Sequence, residues 1–185
     1  VVGDIDVAAT ENMIRQYFSG LKNPANPRPR IKATVPGRTK NDAMVVTDKE
    51  ATNYQIELNY STVKTAPTTT INDYRNNIII KNLFTSLLNQ RMNELTQSAN
   101  PPFLFAGSNF GSYARGHEAF NSFAIASQKG TDTALHAVLT EIERVKKFGF
   151  TEGELERAKK QQLASIEKVY NNKDKTESAL FVQEY

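Results

Sequence analysis

The sequence predicts an α+β fold: a two-layer α/β unit with a β-α-β-β-α-α core, a mainly antiparallel sheet and helices packed on one face. Three observations carry this reading. Tyr54, Ile56, Leu58 and Tyr60 alternate with Gln55, Glu57 and Asn59, which is the period of a half-buried strand. Residues 71–98 then hold apolar side chains at helical spacing. Two strand-length runs and two further helical stripes follow, separated by proline, glycine and capping signals.

The bulk properties fit such a unit. The 185 residues suit one domain plus an appendage. A chain of this size buries roughly 70% of its unfolded surface on folding, enough for a core without covalent staples. Hydrophobic residues at 39% and charged residues at 23% read as globular. The net charge of +3, from 23 basic and 20 acidic residues, is too balanced for a nucleic-acid binder. No apolar run approaches the roughly 20 residues of a membrane helix. The absence of cysteine excludes disulfides and thiolate metal sites and leaves the compartment open.

Val1-Val2 reads as the end of a buried strand, with Asp6 at an N-cap position. Met13, Ile14, Tyr17, Phe18 and Leu21 share one helical stripe, and Gly20 is a stop. This strand-helix piece cannot bury its own stripe, so residues 1–21 are expected to be the tail of a preceding domain. Residues 22–41 carry Pro24, Pro27, Pro29 and Pro36 among Arg28, Arg30, Lys32, Arg38 and Lys40. That composition reads as an extended, semi-rigid linker, ahead of the alternative of a phosphate-gripping basic arm.

Residues 42–185 form the second domain. Residues 43–47 are a short strand candidate, followed by the strand around 54–60 and a turn at Pro67 and three threonines. The helix over 71–98 has apolar positions on more than one stripe, so it is expected to be largely buried. Asn100-Pro101-Pro102 breaks it, and residues 103–113 and 119–128 read as two strands joined near Gly116-His117. Thr131 caps a helix whose buried face is Leu135, Val138, Leu139, Ile142 and Val145, and Gly149 ends it. Thr151-Glu152-Gly153-Glu154 has the capping-box pattern for the last helix, with Glu156 and Lys160 as an exposed pair. Asn171-Asn172-Lys173-Asp174 interrupts that helix before the apolar segment 181–185. Both ends of the chain fall inside regular structure, so it reads as a piece of a longer protein.

Chemistry-bearing motifs are scarce. His117-Glu118 opens an H-E-x-x-H pattern, but Asn121 stands where the second histidine belongs. His136 has no partner at i+3, i+4 or i+5. His117 reads as a turn residue and His136 as a helix-surface or boundary residue. Gly107, Gly111 and Gly116 are too dispersed for a phosphate loop. Phe103, Phe105, Phe120 and Phe123 could mimic a base-stacking platform, but strand aromatics at alternating positions are expected in the core. Asn59-Tyr60-Ser61 matches a glycosylation sequon, a pattern common by chance. The residues point to no catalytic or metal-ligating set and leave substrate-binding residues unknown.

Four segments nevertheless resemble one family. They are Val1-Val2-Gly3-Asp4-Ile5-Asp6, Leu88-Asn89-Gln90-Arg91-Met92-Asn93-Glu94-Leu95, Asn100-Pro101-Pro102-Phe103, and Phe148-Gly149-Phe150-Thr151-Glu152-Gly153-Glu154-Leu155-Glu156-Arg157-Ala158. In this order they resemble the pitrilysin/insulinase family of zinc metallopeptidases, across nearly the whole chain. Its domains have a β-α-β-β-α-α core. The resemblance makes 1–21 the tail of a catalytic-type domain, 22–41 the link, and 42–185 a non-catalytic domain. The family's inverted motif H-x-x-E-H belongs upstream of the opening segment, and residues 71–98, the counterpart of the zinc helix, contain no histidine.

The resemblance also implies an arginine and a tyrosine, seven residues apart, in the partner half of such enzymes, where they support the tetrahedral intermediate. Aligned on Glu94-Leu95, those positions are Thr96 and Phe103, which lack the guanidinium and the hydroxyl. The Asn-Pro-Pro-Phe version resembles the inner second domain of long, four-domain bacterial members. The implied function is a non-catalytic, substrate-chamber domain of a zinc-dependent metalloendopeptidase. Zinc belongs to the parent protein and none to this piece, which is expected to be inactive alone. Its implied partners are the preceding zinc-binding domain, the distal half of the same chain and a peptide substrate. The implied location is the periplasm or cell envelope. The alternative is a catalytically inactive relative serving as a structural or assembly subunit.

Overall fold

The computed structural model describes residues 1–31, 35–37, 39–64 and 69–180. The expected turn at Pro67, the apolar segment 181–185, and Lys32 and Arg38 of the linker lie outside the described residues. The chain divides into two compact units, one of Thr47–Lys168 and one of Val1–Val46 with Val169–Tyr185.

In the larger unit the order is β1 (Gln55–Val63), a helical run, β2 (Phe103–Ala114), β3 (His117–Ala126), α4 (Thr131–Phe148) and the start of α5 (Glu152–Asn171). The helical run is α2 (Ile71–Tyr74), a π-helical turn Arg75–Ile79 and α3 (Ile80–Thr96). The strands form one antiparallel sheet in the order β1-β3-β2. This is the expected α+β core, with the element order read from the sequence.

The register explains the layering. Ile56, Ala124 and Ala106 lie side by side across the three strands, and so do Leu58, Ser122 and Ser108. Their shared face carries the core, where Leu88, Met92, Phe103, Ala106, Ala124, Ala126, Ala134 and Val138 are buried together. On that face the central strand contributes the small side chains Ser122, Ala124 and Ala126 and, farther along, the Phe120 ring; the small ones let α3 and α4 press close to the sheet. Two polar groups in this layer bond to each other: Ser108 Oγ donates to Ser122 Oγ at 2.9 Å.

Several expectations need correction. Residues 43–47 form no strand, and Met44, Val45 and Val46 are exposed. Strand propensity alone is not enough where no ladder partner is present. The helix over 71–98 is buried only in part. Ile71 is 90% exposed and Ile80 51%, while the buried residues are Leu87, Leu88, Arg91 and Met92. The extra residue of the π turn rotates the stripe, so apolar spacing before it does not continue onto the buried face. Phe105 is not core: it is exposed and packs on Phe123 across β2 and β3, with ring centroids 5.7 Å apart. Gly107 makes room for that pair, since a Cβ there would meet Phe123 at 3.2 Å. Gly130, not Thr131, caps α4, and Glu156 pairs with Lys159 at 3.1 Å rather than with Lys160. His117 opens β3 rather than sitting in the turn.

The smaller unit holds α1 (Val7–Phe18), capped by Asp6, whose carboxylate accepts from Ala9 N–H at 2.8 Å. Its stripe of Met13, Ile14, Tyr17 and Phe18 is exposed. Val1 and Val2 join no ladder, contrary to the strand expectation. A 3-10 turn, Lys173–Lys175, follows the end of α5 and interrupts it where the sequence indicated.

Candidate functional site

The two histidines sit on different elements. His117 opens β3, with Nδ1 3.5 Å from the Arg115 carbonyl. His136 lies in the second turn of α4, beside the opposite end of β3, with Nδ1 3.4 Å from Thr140 Oγ1. It borders an open hollow of about 420 Å³ with Pro102, Asp132, Thr133 and Ala137. Among the described residues, no three His, Asp or Glu side chains converge as a metal site would require. Glu118, next to His117, is bonded to Lys81 at 2.6 Å. Asn121 gives Nδ2 to Asn109 Oδ1 at 3.3 Å, in a cross-strand row with Asn59. The donor set therefore does not fit a catalytic zinc.

Thr96 is half-buried at the end of α3, and Phe103 lies in the core. Thr96 Oγ1 donates to the Asn93 carbonyl at 2.7 Å at the end of α3. Phe103 is fully buried in the core. Neither presents a donor to a substrate.

The densest charged cluster is one that spacing did not mark. Arg91 on α3 meets Glu154 on α5 through two bonds, Nε to Oε1 at 2.6 Å and Nη2 to Oε2 at 2.9 Å. Arg91 Nη2 also donates to the Gly149 carbonyl at 3.2 Å, and the guanidinium lies 4.9 Å from the Phe150 ring centre. Gly149 takes a positive φ of 68°, which ends α4 and turns its carbonyl toward Arg91. Glu154 Oε2 accepts in addition from Thr151 N–H and Oγ1, both at 2.7 Å. The Arg91 hydrogen bond, then those from Thr151, hold the Glu154 carboxyl down at about 2 against the opposing effect of burial. The T-x-x-E signal predicted the cap; the partner in a distant segment was invisible to it.

Beside this cluster Phe84 packs edge-on against Phe120 and Phe150, with centroids 5.7 and 5.9 Å apart. These groups brace the α3–α4–α5 layer against the sheet. None aims a nucleophile, a base or an oxyanion donor at open space. What the unit presents outward is a sheet with two edge strands, β1 and β2.

Comparison with known proteins gives a consistent result. A family profile described as the Peptidase M16 inactive domain matches residues 1–162. Comparison with curated proteins gives no match. Among solved structures, the first half of the periplasmic protease PqqL from Escherichia coli superposes with a TM-score of 0.74 at 19% identity, covering 96% of this chain and 38% of that one. The structure of periplasmic PqqL from Escherichia coli gives 0.76 at 20% identity, over 97% of this chain and 20% of that one. A predicted insulinase family protease from Yersinia pestis gives 0.80 at 12% identity, over 98% of this chain and 39% of that one. The chain thus spans less than half the length of each solved chain it matches.

Proposed function

The chain belongs to the pitrilysin/insulinase (M16) family of metallopeptidases and carries its inactive, non-catalytic domain, and from this we propose that it walls the substrate chamber of a zinc-dependent metalloendopeptidase. In this reading a zinc-binding domain of the same parent chain does the chemistry. The match of the inactive-domain profile over residues 1–162 carries the proposal. The internal chemistry agrees with it: the Arg91–Glu154 and Ser108–Ser122 pairs serve bracing, and the histidines have unrelated surroundings.

The wall would contribute to binding rather than to bond cleavage. Edge strands offer main-chain donors and acceptors that read an extended peptide whatever its sequence. The parent's reaction is peptide-bond hydrolysis. Its zinc would be held outside this chain's described residues, so no catalytic step is assigned to them. A periplasmic location is supported by the description of both PqqL structures as a periplasmic protease. No helix among the described residues is long and apolar enough to cross a membrane.

Metal analysis after dialysis, combined with a peptide-cleavage assay on the same sample, tests the assignment. The 185-residue chain is expected to retain no stoichiometric zinc and to cleave no peptide. One zinc per chain with chelator-sensitive hydrolysis would place an active site here and end the proposal. Reading the parent sequence upstream tests the rest: H-x-x-E-H there supports the peptidase, and its absence indicates a scaffold instead.

A further inference from the structure

The β2 edge of the sheet is not open along its whole length. Ala126 N–H donates to the Tyr54 carbonyl at 2.8 Å, and Lys64 N–H donates to the Gly116 carbonyl at 2.9 Å. Even-numbered residues of β3 therefore face β1, and by alternation its odd-numbered residues face β2. The β2 partners of those odd residues are Gly107, Asn109 and Gly111. Ala106, Ser108 and Phe110 consequently turn their backbone N–H and C=O away from the sheet.

At Ser108 the outward side is already taken. Ser108 N–H donates to Asn89 Oδ1 at 2.7 Å, and Asn89 Nδ2 donates to the Ser108 carbonyl at 3.0 Å. One side-chain amide from α3 thus makes both bonds that a residue on an added strand would make.

We propose that Asn89 is an edge guard, and that it keeps β2 from pairing with β2 of a second copy of this chain. The argument for that occupant is the symmetry of the edge. An antiparallel pair centred on Ser108 sets Ser108 against its own copy and Ala106 against Phe110 of the copy, all with outward-turned backbone groups. Such an interface closes about a two-fold axis. Strand edges are usually protected by charged residues or proline within the strand. The twelve residues Phe103–Ala114 contain neither. The neighbouring Leu104 and Phe105 are exposed and would add apolar area. The centre of the would-be interface is the place Asn89 fills. The inference concerns contact between copies and stands apart from the peptidase reading.

Amide exchange by NMR on the 185-residue chain and on Asn89→Ala, with sedimentation over a range of concentrations, tests it. In the unsubstituted monomer Ser108 N–H is expected to exchange more slowly than Phe110 N–H. Alanine is benign in a helix, so the variant is expected to fold. In dilute solution its Ser108 amide should exchange roughly five- to tenfold faster, the equivalent of one lost hydrogen bond. At higher concentration the variant should dimerise, and the Ser108 and Phe110 amides should then slow together. The proposal is overturned if Ser108 and Phe110 exchange alike in the unsubstituted monomer. It is equally overturned if the variant stays monomeric, or if it dimerises with Phe110 N–H still open. Pairing through β2 in the unsubstituted chain would also refute it.

Discussion

Glu154→Ala is expected to lower stability by about 3 kcal/mol, the low end of the roughly 3–5 kcal/mol lost when one partner of a buried ion pair is removed. The low end applies because the Glu154 side chain is 19% exposed, against 10% for Arg91. The substitution removes the bidentate partner of Arg91 and the acceptor that caps α5 at Thr151. Arg91 Nη1 is buried and already lacks a hydrogen bond, so the guanidinium has little with which to compensate. Denaturant melts of the variant and of Arg91→Ala measure the effect. Losses below 1 kcal/mol in both would mean that the pair does not brace the helical layer.

The same pair sets an acid limit. The Glu154 carboxyl is lowered from its ordinary 4.5 to about 2 in the folded chain. A lowered carboxyl stabilises the fold fully above its unfolded value and loses that contribution as pH falls through the folded one. The contribution of Glu154 is therefore complete above about 4.5 and disappears as pH falls toward 2. Glu154→Gln should flatten the stability profile across that window.

The fold was legible where the apolar period was unbroken. The alternation from Tyr54 to Tyr60 and the helical stripe after Thr131 gave elements that exist, because each buries one face against the same core. Two of the misreadings, at Phe105 and over the helix 71–98, occurred where the period slips. A register shift between Phe103 and Phe105 puts these two same-parity residues in different environments, one in the core and one on the opposite face. The π turn at Arg75–Ile79 does the same to the helix. Neither insertion leaves a residue type that announces it. Functional reading had a parallel limit. Motif spacing registers groups that meet within one element, so it found the Thr151–Glu154 cap. Arg91 reaching Glu154, and Asn89 reaching Ser108, are meetings that only the tertiary fold creates.

Phe103→Ala is expected to cost about 3–5 kcal/mol, the usual range for removing a fully buried aromatic ring. Phe103 is 0% exposed and is the largest of the fully enclosed side chains. It opens β2 at the register shift, and its ring joins the cluster of Leu88, Met92, Ala126 and Val138. The cavity could not close easily, because the strand is pinned to β3 beyond the shift and α3 is pinned by Arg91 and Asn89. A melt of Phe103→Ala within 1 kcal/mol of the unsubstituted chain would show that the ring is not enclosed. Phe103→Tyr asks a sharper question, since the family resemblance aligns a tyrosine here. If the ring is held in the core, the added hydroxyl enters an apolar site and costs about 1–3 kcal/mol unless it finds a partner. If the ring instead turns outward, as a group serving a reaction would, the hydroxyl meets water and the change is close to neutral. A destabilised tyrosine variant would therefore assign Phe103 to packing, by an experiment that needs neither the zinc nor the rest of the parent chain.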